Sequence, residues 1–297
     1  MSGSQAGPAG SPGARLRALL ARPEALLLPG CVDALTARLA QQAGFEAIYA
    51  TGAGIANCML GMPDVGLTTM TEVADQVRRM TAAVDAVVVV DIDTGFGNAI
   101  NARRAVQEME RAGAAAVQIE DQTFPKRCGH FSGKDVIGQA EMVAKLRAVI
   151  DARRDPDLVV IARTDAIAVE GLAAGIARAR AYADAGADLI FVEAATDDEQ
   201  LAALPRLIPA PLVANMVEGG RTPLHSVDEL DAMGYRAVIF ANAAMRMAAA
   251  AVRDAFAEMR ATGDTRGLLD RMLSWQDRQA LVGLPEIEAL EARYRVD

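Results

Sequence analysis

The sequence lacks most of the features that mark the commoner function classes. Its three cysteines, Cys31, Cys58 and Cys128, are too few and too scattered for a disulfide framework or a thiolate zinc site, which suits a reducing compartment. Positive charge is in deficit, with 30 Lys and Arg against 39 Asp and Glu and a net charge of −9. That argues against the basic surface that nucleic-acid binding needs. It leaves room for a small anionic ligand, because a local Arg or metal ion can invert the field inside one pocket. No uncharged apolar stretch approaches the ~18 residues of a membrane span, and no basic start leads into an apolar run, so no signal peptide is read and the cytoplasm is expected. Aromatics are scarce, at 4%, so the core must be built mostly from small aliphatic side chains. Residues 1 to 13 carry only uncharged residues, mainly Gly, Ser, Pro and Ala, and read as a disordered tail. Residues 14–297 are left for one domain, including a helical arm from about 243 onward.

What is present is a repeating alternation. Eight short apolar runs, at 25–30, 46–52, 86–95, 115–122, 158–165, 189–195, 211–216 and 237–242, are separated by segments with helical patterning. Continuous Val/Ile/Leu runs read as strands buried on both faces, as in a parallel sheet with helical crossovers. Ala43-Gly44-Phe45, Ala112-Gly113-Ala114, Ala185-Gly186-Ala187 and Met233-Gly234-Tyr235 each sit just before a strand, where Gly fits a left-handed helix C-cap. Eight such units favour an α/β fold of the closed (β/α)₈ type over an open doubly wound sheet. No GxGxxG or phosphate loop follows the first strand, which weakens a nucleotide-binding reading.

In such a barrel the chemistry collects at the C-terminal ends of the strands. The residues there are Thr51 to Gly54, Asp91 and Asp93, Glu120 and Asp121, Arg163 and Asp165, Glu193, Asn215 with Glu218, and Asn242. Carboxylates crowded into one pocket would repel one another unless a cation joined them. Oxygen ligands without His or Cys suit Mg²⁺ or Mn²⁺. The Asp91/Asp93 pair could instead cap the helix near Asn98; Glu120 and Glu193 favour the metal. After the fourth strand, residues 124–134 place Cys128 among Lys126, Arg127 and His130, neighbours that lower a thiol pKa. Gly129 and Gly133 supply mobility for a lid. Cys31 and Cys58 read as packing residues, His225 as a cap, and Trp275 as a packing anchor.

The stretches DIDTGFGNAINARRAVQEMERAGAAAVQIEDQ (91–122), KRCGH (126–130), ARTDA (162–166) and ANMVEGGRTP (214–223) together resemble the isocitrate lyase/phosphoenolpyruvate mutase superfamily, over nearly the whole chain. KRCGH after IEDQ points to the lyase branch, whose members carry a catalytic Cys there. The resemblance implies that Tyr49, Thr51, Gly52 and Ala53 bind the keto-acid half of the substrate. It makes Asp93 the direct Mg²⁺ ligand, with Asp91, Glu120 and Asp121 in support and Asp64 near the metal waters. Arg163 becomes the carboxylate clamp, and Glu193, Asn215 and Glu218 surround the second half of the substrate. Gly129 and His130 join the substrate contacts, and His130 the catalytic group. NMVEGG resembles the dimethylmalate lyase, oxaloacetate hydrolase and carboxyphosphonoenolpyruvate mutase branches more than 2-methylisocitrate lyase, and the loss of positive charge at Phe131 fits a substrate with one carboxylate fewer.

The implied reaction is Mg²⁺-dependent cleavage of a 2-hydroxy di- or tricarboxylate, of 2,3-dimethylmalate or 2-methylisocitrate type, to pyruvate or a related keto acid and a carboxylate. Tyr49 is the candidate base and Cys128 the acid that protonates the departing carbanion. Oxaloacetate hydrolysis or decarboxylation, or a carboxyphosphonoenolpyruvate-type phosphonomutase reaction, are alternatives on the same scaffold. A dicarboxylate-binding protein is the non-enzymatic one. The helical arm and the resemblance suggest a homotetramer with C-terminal helices exchanged between subunits.

Overall fold

A computed structural model of the chain describes residues 10–129 and 133–296. All eight apolar runs are strands: β1 Leu26–Cys31, β2 Ala47–Ala50, β3 Val87–Asp91, β4 Ala116–Glu120, β5 Val159–Thr164, β6 Leu189–Val192, β7 Leu212–Asn215 and β8 Ala237–Phe240. They close into a barrel in sequence order, with every neighbouring pair parallel. The ring is sealed where β1 meets β8, with Leu26 opposite Ala237 and Pro29 opposite Phe240. The seam is tight: a Cβ on Gly30 would lie 1.8 Å from the Ala241 carbonyl oxygen, so only glycine fits there.

Successive side chains on a strand point to opposite faces, and this sorts the core into two layers. Val88, Val90, Val117, Ile119, Val160 and Ala162 face outward to the helices. Val87, Val89, Ala116, Val159, Ile161, Leu189 and Phe191 face inward. The helix Pro12–Leu20, capped by Ser11, adds Leu16 and Leu19 to the inward cluster. It begins inside the stretch read as a tail, whose residues 1–9 lie outside the described residues. The crossover helices start on well-formed caps, as at Asp33/Thr36 and Asn98/Asn101, where side chain and backbone bond reciprocally. Gly44, Gly113, Gly186 and Gly234 all have φ between 90° and 105°, as the repeated motif predicts.

The chain divides into two compact units, residues 1–243 and 244–297. In the second, the helices Trp275–Leu281 and Leu284–Arg293 follow a 3₁₀ turn at Arg266–Arg271. Phe256, Trp275 and Ile287 are more than half exposed; within this unit Trp275 is therefore not a buried packing anchor. Among the described residues no helix is long and apolar enough to cross a membrane.

Candidate active site

The same alternation that sorts the core decides what faces the mouth of the barrel. Above the inward apolar layers come Asp91, Glu120, Arg163, Glu193 and Asn215. With Tyr49, Thr51, Ala53, Asp64, Lys126 and Cys128 they line a pocket of about 460 Å³, including space open to solvent. Asn242 and Gly129 also line it. Gly52, Asp93 and Glu218 are not among the lining residues; Val217 is there in place of Glu218. His130 lies outside the described residues.

Asp93 does not continue the strand. β3 ends at Asp91, and Asp93 occupies the left-handed region with φ 49°, a conformation that costs a non-glycine residue energy and is commonest at functional sites. Its amide bonds back to Asp91 Oδ1 at 3.1 Å. The turn brings both carboxylates against the start of the helix Gly52–Leu60: a Cβ on Gly52 would lie 2.9 Å from Asp91 Oδ2 and 3.4 Å from Asp93 Oδ1. The side-chain oxygen of Thr51 caps this helix by accepting from the Gly54 amide, and the partial positive charge of the helix N-terminus faces the two acids. Thr51 also bonds Asn242 at 3.3 Å.

Six buried carboxylates, Asp64, Asp91, Asp93, Glu120, Asp165 and Glu193, face three buried cations, Lys126, Arg163 and Lys134. The imbalance is visible in their protonation. Burial pushes the Asp93 carboxyl up to about 7, with Asp91 and Asp64 adding to the rise and Lys126 opposing it. Burial likewise drives Glu120 well above the usual carboxylate range. Glu120 Oε1 is buried without a hydrogen-bond donor, and Asp93 Oδ1 is buried against the Lys126 ammonium, 2.7 Å from Nζ. Among the described residues no three His, Cys, Asp or Glu side chains form a ready-made metal cage. The buried carboxylates could still hold a hard divalent ion such as Mg²⁺, which keeps several waters and takes only one or two of them.

Arg163 stands at the centre of the other half. Its Nε lies 2.9 Å from Asp165 and 3.3 Å from Glu120, and its Nη2 lies 3.2 Å from Glu193. The guanidinium stacks 4.8 Å above the Phe191 ring. Asn215 donates to Glu193 at 3.2 Å. The Cys128 backbone is fixed at its N–H, which bonds the Asp64 carbonyl at 3.2 Å. Gln122 clamps the adjacent peptide by accepting from Arg127 N and donating to Arg127 O, both at 2.9 Å.

Sequence reasoning treated Lys126 only as a basic neighbour of the cysteine. It is in fact buried, 2.5 Å from Asp64 and 2.7 Å from Asp93. Burial opposes its charge, but Asp93, Glu120, Asp64 and Asp91 outweigh that and hold the ammonium well above the ordinary lysine range. Lys126, Arg127 and Cys128 all line the pocket, so the spacing of the three residues gave no signal that Lys126 alone would be buried. Gln118 was also missed. It is fully buried and links Tyr49 to Asp91, accepting from the Tyr49 hydroxyl at 2.7 Å and donating to Asp91 at 3.3 Å.

Two placements differ from expectation. Asp121 follows Glu120 and so points to the opposite face of β4, where it accepts from Thr164, Tyr182 and the Asp165 amide; it supports the barrel wall rather than the carboxylate cluster. Cys31 is buried, and its thiol is pushed up to about 12, chiefly by burial. Cys58, also read as packing, is exposed.

Residues 16–260 match the model of the phosphoenolpyruvate phosphomutase family. The chain belongs to this family, within the isocitrate lyase/phosphoenolpyruvate mutase superfamily. It is 41% identical to 2,3-dimethylmalate lyase of Eubacterium barkeri over 281 residues, 95% of this chain and 97% of that protein. It is 42% identical to 2-methylisocitrate lyase of Shewanella oneidensis over 278 residues, 94% and 95% of the two chains. A solved oxaloacetate acetylhydrolase bound to 3,3-difluorooxalacetate superposes with a TM-score of 0.90 at 35% identity, covering 95% of this chain and 96% of that one. A phosphonopyruvate hydrolase bound to oxalate and Mg²⁺ superposes with a TM-score of 0.86 at 33% identity, covering 96% and 99%. With lyases among such near full-length relatives, this family member is an enzyme of the carbon–carbon lyase class.

Proposed function

We propose that the enzyme is a Mg²⁺-dependent (or Mn²⁺-dependent) lyase that cleaves a 2-hydroxy dicarboxylate bearing an apolar substituent, of 2,3-dimethylmalate type, into pyruvate or a related keto acid and a carboxylate. The observation that carries this reading is the excess of buried carboxylates in which Asp64, Asp91 and Glu120 line a pocket shared with Cys128, with Asp93 just outside the lining and 2.7 Å from Lys126. A divalent ion held by Asp93, with Asp91, Glu120 and Asp64 around it, would acidify the substrate 2-hydroxyl and orient it beside its carboxylate. The backbone N–H groups of Gly52 and Ala53, which have no partner within their own helix, stabilise the keto-acid half. Arg163 holds the other carboxylate, backed by Glu193 and Asn215.

The proton of the 2-hydroxyl goes to Glu120, which lines the pocket and whose Oε1 is buried without a donor. Tyr49 was the candidate base, but it donates its own proton to Gln118, and burial keeps the phenol protonated well above its usual range. It is better suited to fixing Gln118 and, through it, Asp91. As the C2–C3 bond breaks, its electron pair stays on C3 as the enolate of the departing carboxylate. The Cys128 thiol then gives its proton to that carbon, and the thiolate regains one from solvent.

Phe191, Val217, Ile239 and Ala241 form the apolar part of the lining. Lys126 and Arg163 are already engaged by carboxylates, which favours two substrate carboxylates over the three of 2-methylisocitrate. Assembly belongs to the same reading: exposed apolar side chains on residues 244–297 suit a homotetramer in which these helices are exchanged between paired subunits, in the cytoplasm. The deciding experiment is a lyase assay with Mg²⁺ against 2,3-dimethylmalate, 2-methylisocitrate and oxaloacetate. Highest kcat/KM on dimethylmalate, with one deuterium placed stereospecifically on the carboxylate product in D₂O, is expected. Preference for either other substrate, or product without deuterium, overturns it.

A further inference from the structure

Lys134 is a buried ammonium that the reaction outlined above does not use. Its side chain is 2% exposed, and Nζ makes two bonds of 2.6 Å, one to Asp165 Oδ1 and one to the backbone carbonyl of Gly129. Both partners bear on the site. Asp165 is fully buried and bonds Arg163 through both its oxygens, Oδ2 to Nε at 2.9 Å and Oδ1 to Nη2 at 3.2 Å. Burial works against the Asp165 charge, but Arg163 and Lys134 outweigh it and bring the carboxyl to about 2. Gly129, the residue after Cys128, is pressed on the same guanidinium: a Cβ there would lie 2.4 Å from Arg163 Nη2 and 3.1 Å from the Glu193 side chain.

We infer that Lys134 is a positioning residue that joins the acid to the carboxylate clamp. Its ammonium holds the peptide next to Cys128 at a fixed place relative to Arg163. It also takes up part of the Asp165 charge that would otherwise fall wholly on the guanidinium. The first action sets where the Cys128 proton is delivered. The second sets how strongly Arg163 attracts a substrate carboxylate, because this guanidinium already faces Glu120, Asp165 and Glu193. A neutral side chain at 134 leaves Asp165 with one cation instead of two and the Gly129 carbonyl without its donor. The inference rests on the lyase reading for its kinetic consequences, and on geometry alone for the placement of Cys128.

The two actions separate in the variants Lys134→Met and Lys134→Arg. In the Mg²⁺-loaded full-length enzyme, Lys134→Met should lower kcat about a hundredfold, the usual scale for a catalytic group displaced by ~1 Å, and raise KM about tenfold. Deuterium placed on the carboxylate product should lose its stereospecificity. Lys134→Arg restores the charge beside Asp165 but not the single-point contact with the Gly129 carbonyl, so KM should recover while kcat stays low. A second readout needs no turnover: alkylation by iodoacetamide, followed by peptide mass spectrometry. Cys128 should react at a rate at least about tenfold different from wild type, while the exposed Cys58 reacts unchanged. Should the Met variant not fold, Lys134→Arg carries both readouts: a low kcat with wild-type KM and an altered Cys128 rate support the inference. A Met or Arg variant that loses thermal stability only, with kcat, KM and Cys128 alkylation within twofold of wild type, overturns it. A wild-type enzyme inactive on all three substrates refutes the lyase reading and leaves the alkylation result to decide the placement of Cys128.

Discussion

The two ends of the barrel are built from the same residue types and arranged in opposite ways. At the N-terminal end of the strands, Asp188 has its oxygens fully used. Arg17 Nη2 meets Oδ1 at 2.7 Å, while Arg153 Nη1 and the Val160 amide meet Oδ2 at 3.0 and 2.8 Å. Arg17 in turn donates to the Asp157 carbonyl. At the C-terminal end, Glu120 Oε1 and Asn215 Oδ1 are buried with no donor, Asp93 and Ala194 sit at positive φ, and burial pushes the carboxyls of Asp93, Glu120 and Asp121 upward. Buried polar groups in a finished structure are nearly always paired. Charges paired as at Asp188 hold the fold together, although Glu110 Oε2 near that end is also buried without a partner; an end that gathers several unsatisfied groups is arranged for something that arrives later.

The comparison can be broken most severely at Asp93. Replacing it with Ala should abolish Mg²⁺ binding by calorimetry and cut turnover at least about a thousandfold, since a catalytic metal supplies several kcal/mol; EDTA should do the same to wild type, reversibly. Turnover that survives chelation would put the unsatisfied oxygens down to structure alone. Next comes Cys128→Ser, which should slow product formation by about 10²–10⁴-fold while leaving Mg²⁺ binding intact. A wild-type rate in this variant would remove the acid from the site. At the other end the effect should be on stability and not on chemistry. Asp188→Ala should cost about 2–3 kcal/mol in denaturant unfolding, a modest figure because Arg17 is one-third exposed, with kcat within twofold of wild type. A large loss of kcat there would mean that the two ends are coupled.

The smallest effect is in pH. With its carboxyl raised to about 7 in the folded chain, Asp93 binds a proton that the unfolded chain releases near pH 3.9. Between those values the folded state holds more protons, so this group lowers stability as pH rises from about 4 to about 7. EDTA-treated protein should therefore lose some Tm between pH 5 and pH 8, Asp93→Asn should flatten that slope, and Mg²⁺ affinity should fall as pH drops below about 7. A Tm of the chelated protein that is flat or rising with pH, and unaltered by Asp93→Asn, would contradict the assignment.

Nearly all of the barrel was legible in the sequence, because strands buried on both faces must be continuously apolar and eight of them left no other signal to compete. The positions facing its mouth were legible for the same reason: Asp91, Glu120 and Asn215 end their strands, and Arg163 and Glu193 lie within one residue of the ends of theirs. What could not be read was which of two adjacent acids turns inward. Glu120 and Asp121 are equivalent as letters, and only the register of β4 sends one to the pocket and the other to Tyr182 and Thr164. Nor does a two-residue spacing reveal that β3 stops at Asp91 and that Asp93 reaches the cluster through a left-handed turn. Lys126 was hidden by its surroundings, since a lysine in a loop among Arg, Pro and Gly looks solvated until a carboxylate pair is found on both sides of it.

The seam between β1 and β8 has a consequence for how the molecule is made. Leu26 pairs with Ala237 and Leu28 with Ile239, so the ring stays open until roughly two hundred further residues have left the ribosome. At ~5–20 residues per second that is an interval of roughly 10–40 s, during which the growing sheet has two bare edges, the N-terminal one belonging to the first strand synthesised. Unpaired edges of this kind recruit other chains, and the apolar inward layer is uncovered for the same interval. Thr51 meets Asn242 only after the last strand arrives, so the site is completed by the event that removes both edges. A nascent barrel of this design keeps an unpaired edge up to its final strand.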